Sequence, residues 1–163
     1  MASLLGQFFN SIRGSQEDIA SKGLAYILKE SASAKDVVNR IIKNNAGLHF
    51  GNIRYITQSV GKKKERPDIS GIDDAGVEKI IIEAKFWSSL TDNQPVEYLK
   101  RLDGRSVLIF ISPKLRVVSL MNEIEIKLHD SNIPYDTSST SIEVDGQKHI
   151  FIMDWNTVLD AIR

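Results

Sequence analysis

The chain has 163 residues, 42% of them hydrophobic and 26% charged, which is the composition of one soluble globular domain with a buried core. It contains no cysteine, which excludes disulfides, thiolate zinc sites and thiol nucleophiles, and its 21 basic residues balance 21 acidic ones, so no overall electrostatic bias directs it to nucleic acid. Any metal must sit on oxygen or on His49, His129 and His149, which show no HExxH-like spacing; expectation therefore moves from zinc proteolysis to Mg²⁺ or Mn²⁺ chemistry.

Met1 to Ile12 is mildly apolar but lacks the basic region and cleavage pattern of a signal peptide, and no segment approaches the ~18 apolar residues of a membrane span. The expected compartment is the cytoplasm. Ser15-Gln16-Glu17-Asp18 resembles a capping box, and Ala20, Leu24, Ile27 and Leu28 then repeat at helical spacing to about Glu30. A second helical pattern runs from Ala34 to about Asn44, with Asn45 to Gly47 as its stop. Three extended segments follow, Ile53 to Val60, Pro67 to Ile72 and Glu78 to Phe86, the last two joined by the turn residues Asp73 to Gly76. Between the first two, Lys62, Lys63, Lys64 and Arg66 form a local positive patch, the expected nucleic-acid contact.

Thr91 to Pro95 has the chemistry of a helix start, leading to about Leu102, and Ser106 to Ser112 is apolar enough for a strand buried on both faces. Leu115 to His129 is expected to be helical, Ile142 to Met153 contains a hairpin at Asp145-Gly146, and Asn156 to Arg163 forms a last helix. The fold class is α/β, a mixed sheet flanked by helices, in one domain over residues 1–163; the chain is also compatible with excision from a longer protein.

Within Ile80-Ile81-Ile82-Glu83-Ala84-Lys85, strand alternation puts Glu83 and Lys85 on one face. A turn at Asp73 to Gly76 sets Ile72 opposite Val77 and Asp68 opposite Ile81, leaving Asp68 on the same face and diagonal to Glu83, about 7–8 Å away at the backbone. Two such carboxylates, with water and a phosphate oxygen, supply the oxygen shell of Mg²⁺, and a neighbouring lysine orients water or offsets charge on a phosphodiester under attack. A second Glu-x-Lys, Glu125-Ile126-Lys127, falls in a helical segment, where residues two apart diverge by roughly 200°.

Pro67-Asp68, a hairpin, and Ile82-Glu83-Ala84-Lys85-Phe86 together resemble the signature of the PD-(D/E)XK nuclease superfamily, and the element order over residues 15–112 resembles its restriction-endonuclease-like αβββαβ core. The resemblance implies a Mg²⁺- or Mn²⁺-dependent nuclease with Asp68, Glu83 and Lys85 at its centre, the metal being held by Asp68, Glu83, the Ala84 backbone carbonyl and Glu17. The segment Leu90 to Leu99 is similar to a glutamine-bearing helix of many members, which makes Gln94 a site candidate. An acid on the first helix is also expected. Helical rotation favours Glu17, above Leu24 and Leu28, whereas Asp18 falls with Lys22, Ala25 and Lys29 and is expected to pair with Lys22.

Phe86 and Trp87 are weaker candidates for base stacking, and the histidines are expected to be structural. DNA is the expected substrate, with RNA left open, and cleavage of both strands makes a homodimer plausible. Resemblance to bacterial nucleases implies a defence or repair setting. The competing expectation is a non-catalytic module of the same fold that binds nucleic acid or protein, which the neutral total charge keeps open.

Overall fold

Two helices open the described part of the chain, which in this computed structural model comprises residues 16–57, 66–92 and 94–162. Helix α1, Gln16–Glu30, buries Ala20, Ser21, Leu24, Ala25 and Leu28, a stripe set by the 3.6-residue period. Helix α2, Ala32–Ala46, starts two residues before the expected position because the Ser31 hydroxyl accepts the Ala34 amide at 3.2 Å. It stops at Gly47, whose φ of 65° suits glycine and lets its N–H donate to the Lys43 carbonyl. The expected cap at Ser15 lies outside the described residues.

Strands β1, Arg54–Thr57, β2, Ile69–Ile72, and β3, Glu78–Ala84, pair antiparallel in that order. The short helix α3, Val96–Arg101, then crosses to β4, Ser106–Ser112, which lies parallel to β3. A 3₁₀ turn at Lys114–Arg116 leads into α4, Val117–Asp130. Strands β5, Tyr135–Thr137, β6, Ile142–Val144, and β7, Lys148–Asp154, complete one sheet of order β1-β2-β3-β4-β7-β6-β5, and α5, Trp155–Ile162, closes the described chain. The result is a mixed α/β fold with a seven-stranded sheet and, among the described residues, five helices.

All seven residues of β4 are buried, and they divide between two cores. Val107, Ile109 and Ile111 pack with Leu24, Leu28, Val38 and Ile42 of α1 and α2, while Leu108 and Phe110 meet Leu99, Leu120 and Ile124 of α3 and α4. Each such aliphatic side chain contributes about 1.5–3 kcal/mol on burial. Among the described residues no helix is long and apolar enough to cross a membrane.

The expected core over residues 15–112 holds only four of the seven strands; the other three attach through β7, which runs parallel to β4. Strand β5 was not expected, because Tyr135-Asp136-Thr137 is short and largely exposed. Strand β1 is described only to Thr57, so the rest of its expected length lies outside the described residues. Helix α3 begins at Val96 and not at Thr91, since Thr91 to Gln94 forms a turn in which the Gln94 amide donates to the Thr91 carbonyl at 3.1 Å.

The β2–β3 register differs from the expected one. Asp73 donates to the Val77 carbonyl at 3.0 Å and its Oδ1 accepts the Ala75 and Val77 amides, so the loop has three residues and ends on Gly76 at φ 80°. That shift sets Ile72 opposite Glu78, and an irregularity between Gly71 and Ile72 adds a second one-residue shift, giving Gly71 opposite Ile80 and Ile69 opposite Ile82. From Gly71 back to Asp68 the two single shifts restore each side chain to its expected face, but they carry Asp68 level with Glu83 in place of the diagonal.

Candidate active site

Strand β3 delivers a charged pair into the protein because the apolar run Ile80-Ile81-Ile82 anchors it between β2 and β4. Glu83 and Lys85, which share the alternation of Ile81, are 6% and 7% exposed, which excludes a polar pair on a solvated hairpin face. The Lys85 amide prolongs the β3–β4 ladder by donating to the Ile111 carbonyl at 2.9 Å. Its ammonium lies 3.5 Å from Glu83 Oε1.

Asp68 stands just before β2 and interlocks with the end of β3. Its Oδ2 accepts the Ala84 amide at 2.9 Å, and its own amide donates to Glu83 Oε2 at 3.3 Å. Two acids so placed oppose each other's ionisation. Burial, then the Glu83 charge, push the Asp68 carboxyl up to about 7, against the opposing pull of the Ala84 amide and Lys85. Burial likewise raises Glu83, although Lys85 and hydrogen bonds from Gln94, the Asp68 amide and Tyr98 offset part of the effect. A carboxyl pair under one ammonium, Glu83 buried and Asp68 half-buried, is a donor set that a hard divalent cation relieves, and the Ala84 carbonyl belongs to the residue whose amide already touches Asp68.

Gln94 reaches Glu83. Its Nε2 donates to Glu83 Oε1 at 2.8 Å and to the Tyr98 hydroxyl at 3.0 Å, while its Oε1 accepts the Thr91 amide at 3.3 Å. The Gln94–Pro95 peptide bond is cis. Tyr98, one helical turn beyond Gln94, donates to Glu83 Oε2 at 3.1 Å and lies 3.3 Å from the Arg66 carbonyl. Burial, and after it Glu83, hold its phenol above the ordinary range. Sequence reasoning missed Tyr98, although the i, i+4 spacing from Gln94 was a usable signal.

Glu17 is engaged by the chain just beyond Lys85. It comes to the end of β3, but its carboxylate is taken up by the Phe86 amide at 2.7 Å and the Ser88 hydroxyl at 2.7 and 2.9 Å, not brought to Asp68. Burial alone raises its pKa; the Ser88 and Phe86 hydrogen bonds outweigh that and leave it lowered. Asp18 instead lines a cavity of 210 Å³ with Ser21, Lys22, Thr57 and Asp68, and its charge contributes to raising Asp68. Asp18 reaches the cavity because α1 turns the Ser21–Ala25 edge of its buried stripe toward β1.

Of the expected basic patch, Lys62, Lys63 and Lys64 lie outside the described residues, and Arg66 is exposed. Trp87 is 64% exposed, whereas Phe86 packs on Trp155 with ring centroids 6.0 Å apart. His149 contacts Ser141 and Glu143, far along the sheet from the acid pair, and His129 sits beside Asp130. The second Glu-x-Lys is helical, within α4, and its Lys127 pairs with Asp92. Among the described residues no three Asp, Glu or His side chains converge as a ready-made metal cluster. No protein-family model, curated protein or solved structure matches the chain.

Proposed function

We propose that this chain is a metal-dependent nuclease of the PD-(D/E)XK type, with a restriction-endonuclease-like core, that hydrolyses phosphodiester bonds in nucleic acid, foremost DNA. The observation that carries the proposal is the convergence of Asp68, Glu83 and Lys85: a half-buried and a buried carboxyl that interlock, the first raised to about 7, with an ammonium 3.5 Å from Glu83 Oε1. The order α1, α2, β1 to β3, α3, β4 supports the same reading.

Asp68, Glu83 and the Ala84 carbonyl would hold a Mg²⁺ or Mn²⁺ ion, which supplies a lowered water pKa and neutralises phosphate charge. Lys85, beside Glu83, orients the attacking water and offsets negative charge on the phosphate. Gln94 and Tyr98 fix both oxygens of Glu83, so its direction is set before substrate arrives. Glu17 acts at one remove, by binding the Phe86 amide and Ser88 just beyond Lys85. Cutting both strands of a duplex calls for two such sites, and a homodimer is the proposed form for that reaction.

One observation favours a second reading, a non-catalytic module: Glu83 already meets Gln94, Tyr98, Lys85 and the Asp68 amide, which satisfy a buried carboxylate without metal. The deciding experiment incubates the protein with plasmid and single-stranded DNA in Mg²⁺, Mn²⁺ or EDTA, beside Glu83→Ala. Metal-dependent cleavage should fall by more than the roughly 10–100-fold typical of losing an outer-shell partner. Cleavage that survives EDTA or the substitution overturns the mechanism; DNA binding without cleavage supports the second reading.

A further inference from the structure

The 210 Å³ cavity at Asp68 does not end there. It shares Lys22 and Thr57 with a 460 Å³ groove that runs between α1 and β1, lined by Lys22, Tyr26 and Lys29 on one side and Tyr55 to Thr57 on the other. Strand β1 is the edge of the sheet, so the groove follows an open margin. At about 100° per residue, Asp18, Lys22, Tyr26 and Lys29 fall within an arc of roughly 80° on α1, and at 1.5 Å per residue they extend over about 16 Å. Lys22 and Lys29 are exposed, and Tyr26 is an exposed large aromatic. Below them, the Tyr55 hydroxyl is buried without a hydrogen-bond partner among the described residues.

We infer that this groove is the track for one unpaired nucleic-acid strand, led along α1 toward Asp68. The inference rests on the proposed nuclease site as the end of the track. Lys22 and Lys29 supply phosphate contacts at two points along the helix, and Tyr26 between them supplies a π-face on which any base can stack. The groove meets the cavity at Lys22, so the strand approaches the acid pair with its charge already partly neutralised. A single strand fits better than a duplex, because an aromatic stacking platform between two cations needs bases that are free to leave their partners.

The test is fluorescence anisotropy of a labelled single-stranded oligodeoxynucleotide across a salt series, on the whole chain in EDTA so that cleavage does not interfere, with a blunt duplex alongside. Lys22→Gln with Lys29→Gln should reduce the slope of log affinity against log salt by about 1.4, roughly 0.7 for each single-strand phosphate contact. Tyr26→Ala should weaken binding about five-fold or more. Circular dichroism of each variant checks the fold. Unchanged slope and affinity in these variants, or equal sensitivity of duplex binding to them, overturns the track. Metal-dependent cleavage alongside unaffected binding removes the track and leaves the nuclease reading; variant-sensitive strand binding without cleavage does the reverse.

Discussion

The Tyr98 hydroxyl stands 3.1 Å from Glu83 Oε2 while Gln94 Nε2, 3.0 Å from that hydroxyl, holds Glu83 Oε1 at 2.8 Å. The turn before α3 and the first turn of the helix thereby grip both oxygens of a buried carboxylate. Tyr98→Phe keeps the ring in the core but removes the hydroxyl, leaving a charged acceptor undersatisfied, a loss of about 1–3 kcal/mol. Urea denaturation should report that loss, with metal-dependent cleavage reduced in parallel. A midpoint equal to that of the parent would show that the hydroxyl contributes nothing to holding Glu83.

The acid pair also predicts how stability changes with pH. Asp68 is pushed up to about 7 by burial and by Glu83, and Glu83 is raised too, so in the ordinary carboxylate range the fold binds more protons than the unfolded chain. The pair's contribution to metal-free stability is therefore fully present below the unfolded pKa values and is lost as pH rises through the raised ones, about 7 for Asp68. Each carboxyl contributes a slope of at most about 1.4 kcal/mol per pH unit. Asp68→Asn should flatten the fall. Mg²⁺, if bound by the ionised pair, should raise the melting temperature more at about pH 8 than at about pH 5.5. An equal rise at both would mean that the ion binds elsewhere.

Much of this site was legible because strand alternation depends only on parity. The two shifts in the β2–β3 hairpin moved Asp68 from the diagonal to a position level with Glu83, yet an even displacement left it on the correct face. Gln94 entered as a candidate only through the resemblance of Leu90 to Leu99 to a glutamine-bearing helix. Helical rotation separated Glu17 from Asp18 but could not say which edge of the α1 stripe meets β1, because that is decided by tertiary packing. Ser88 was invisible for a related reason: its bond to Glu17 spans 71 residues, and no local pattern encodes it.

Gly71 carries the second of those shifts, and its lack of a side chain is sterically required. A Cβ there would lie 2.9 Å from Ile53 Cγ2, 2.9 Å from Ile80 Cβ and 3.2 Å from Tyr55 Cε1. All three belong to buried residues of the core under α1, which cannot yield cheaply. Gly71→Ala should destabilise by about 1–3 kcal/mol through overpacking. Chemical denaturation measures it, and a variant as stable as the parent would show that β1 moves aside freely.

Glu17 gives the prediction that best separates holding a metal from holding the chain. Its carboxylate binds the Phe86 amide and Ser88, immediately beyond Lys85, so it acts on the path of the chain after β3 and not on Asp68. Glu17→Ala should lower the rate of cleavage while leaving the Mg²⁺ concentration for half-maximal rate unchanged, whereas Asp68→Asn should raise that concentration. Ser88→Ala removes the hydroxyl from the same contact and should reproduce the Glu17 effect in weaker form, since the Phe86 amide remains. Because the Glu17 pKa is lowered, its contribution to stability is present above the ordinary carboxylate range and is lost as pH falls through the depressed value, the reverse of the Asp68 trend. A Mg²⁺ requirement that rises in Glu17→Ala as much as in Asp68→Asn would return Glu17 to the metal, and would require the Ser88 contact to open when the ion binds.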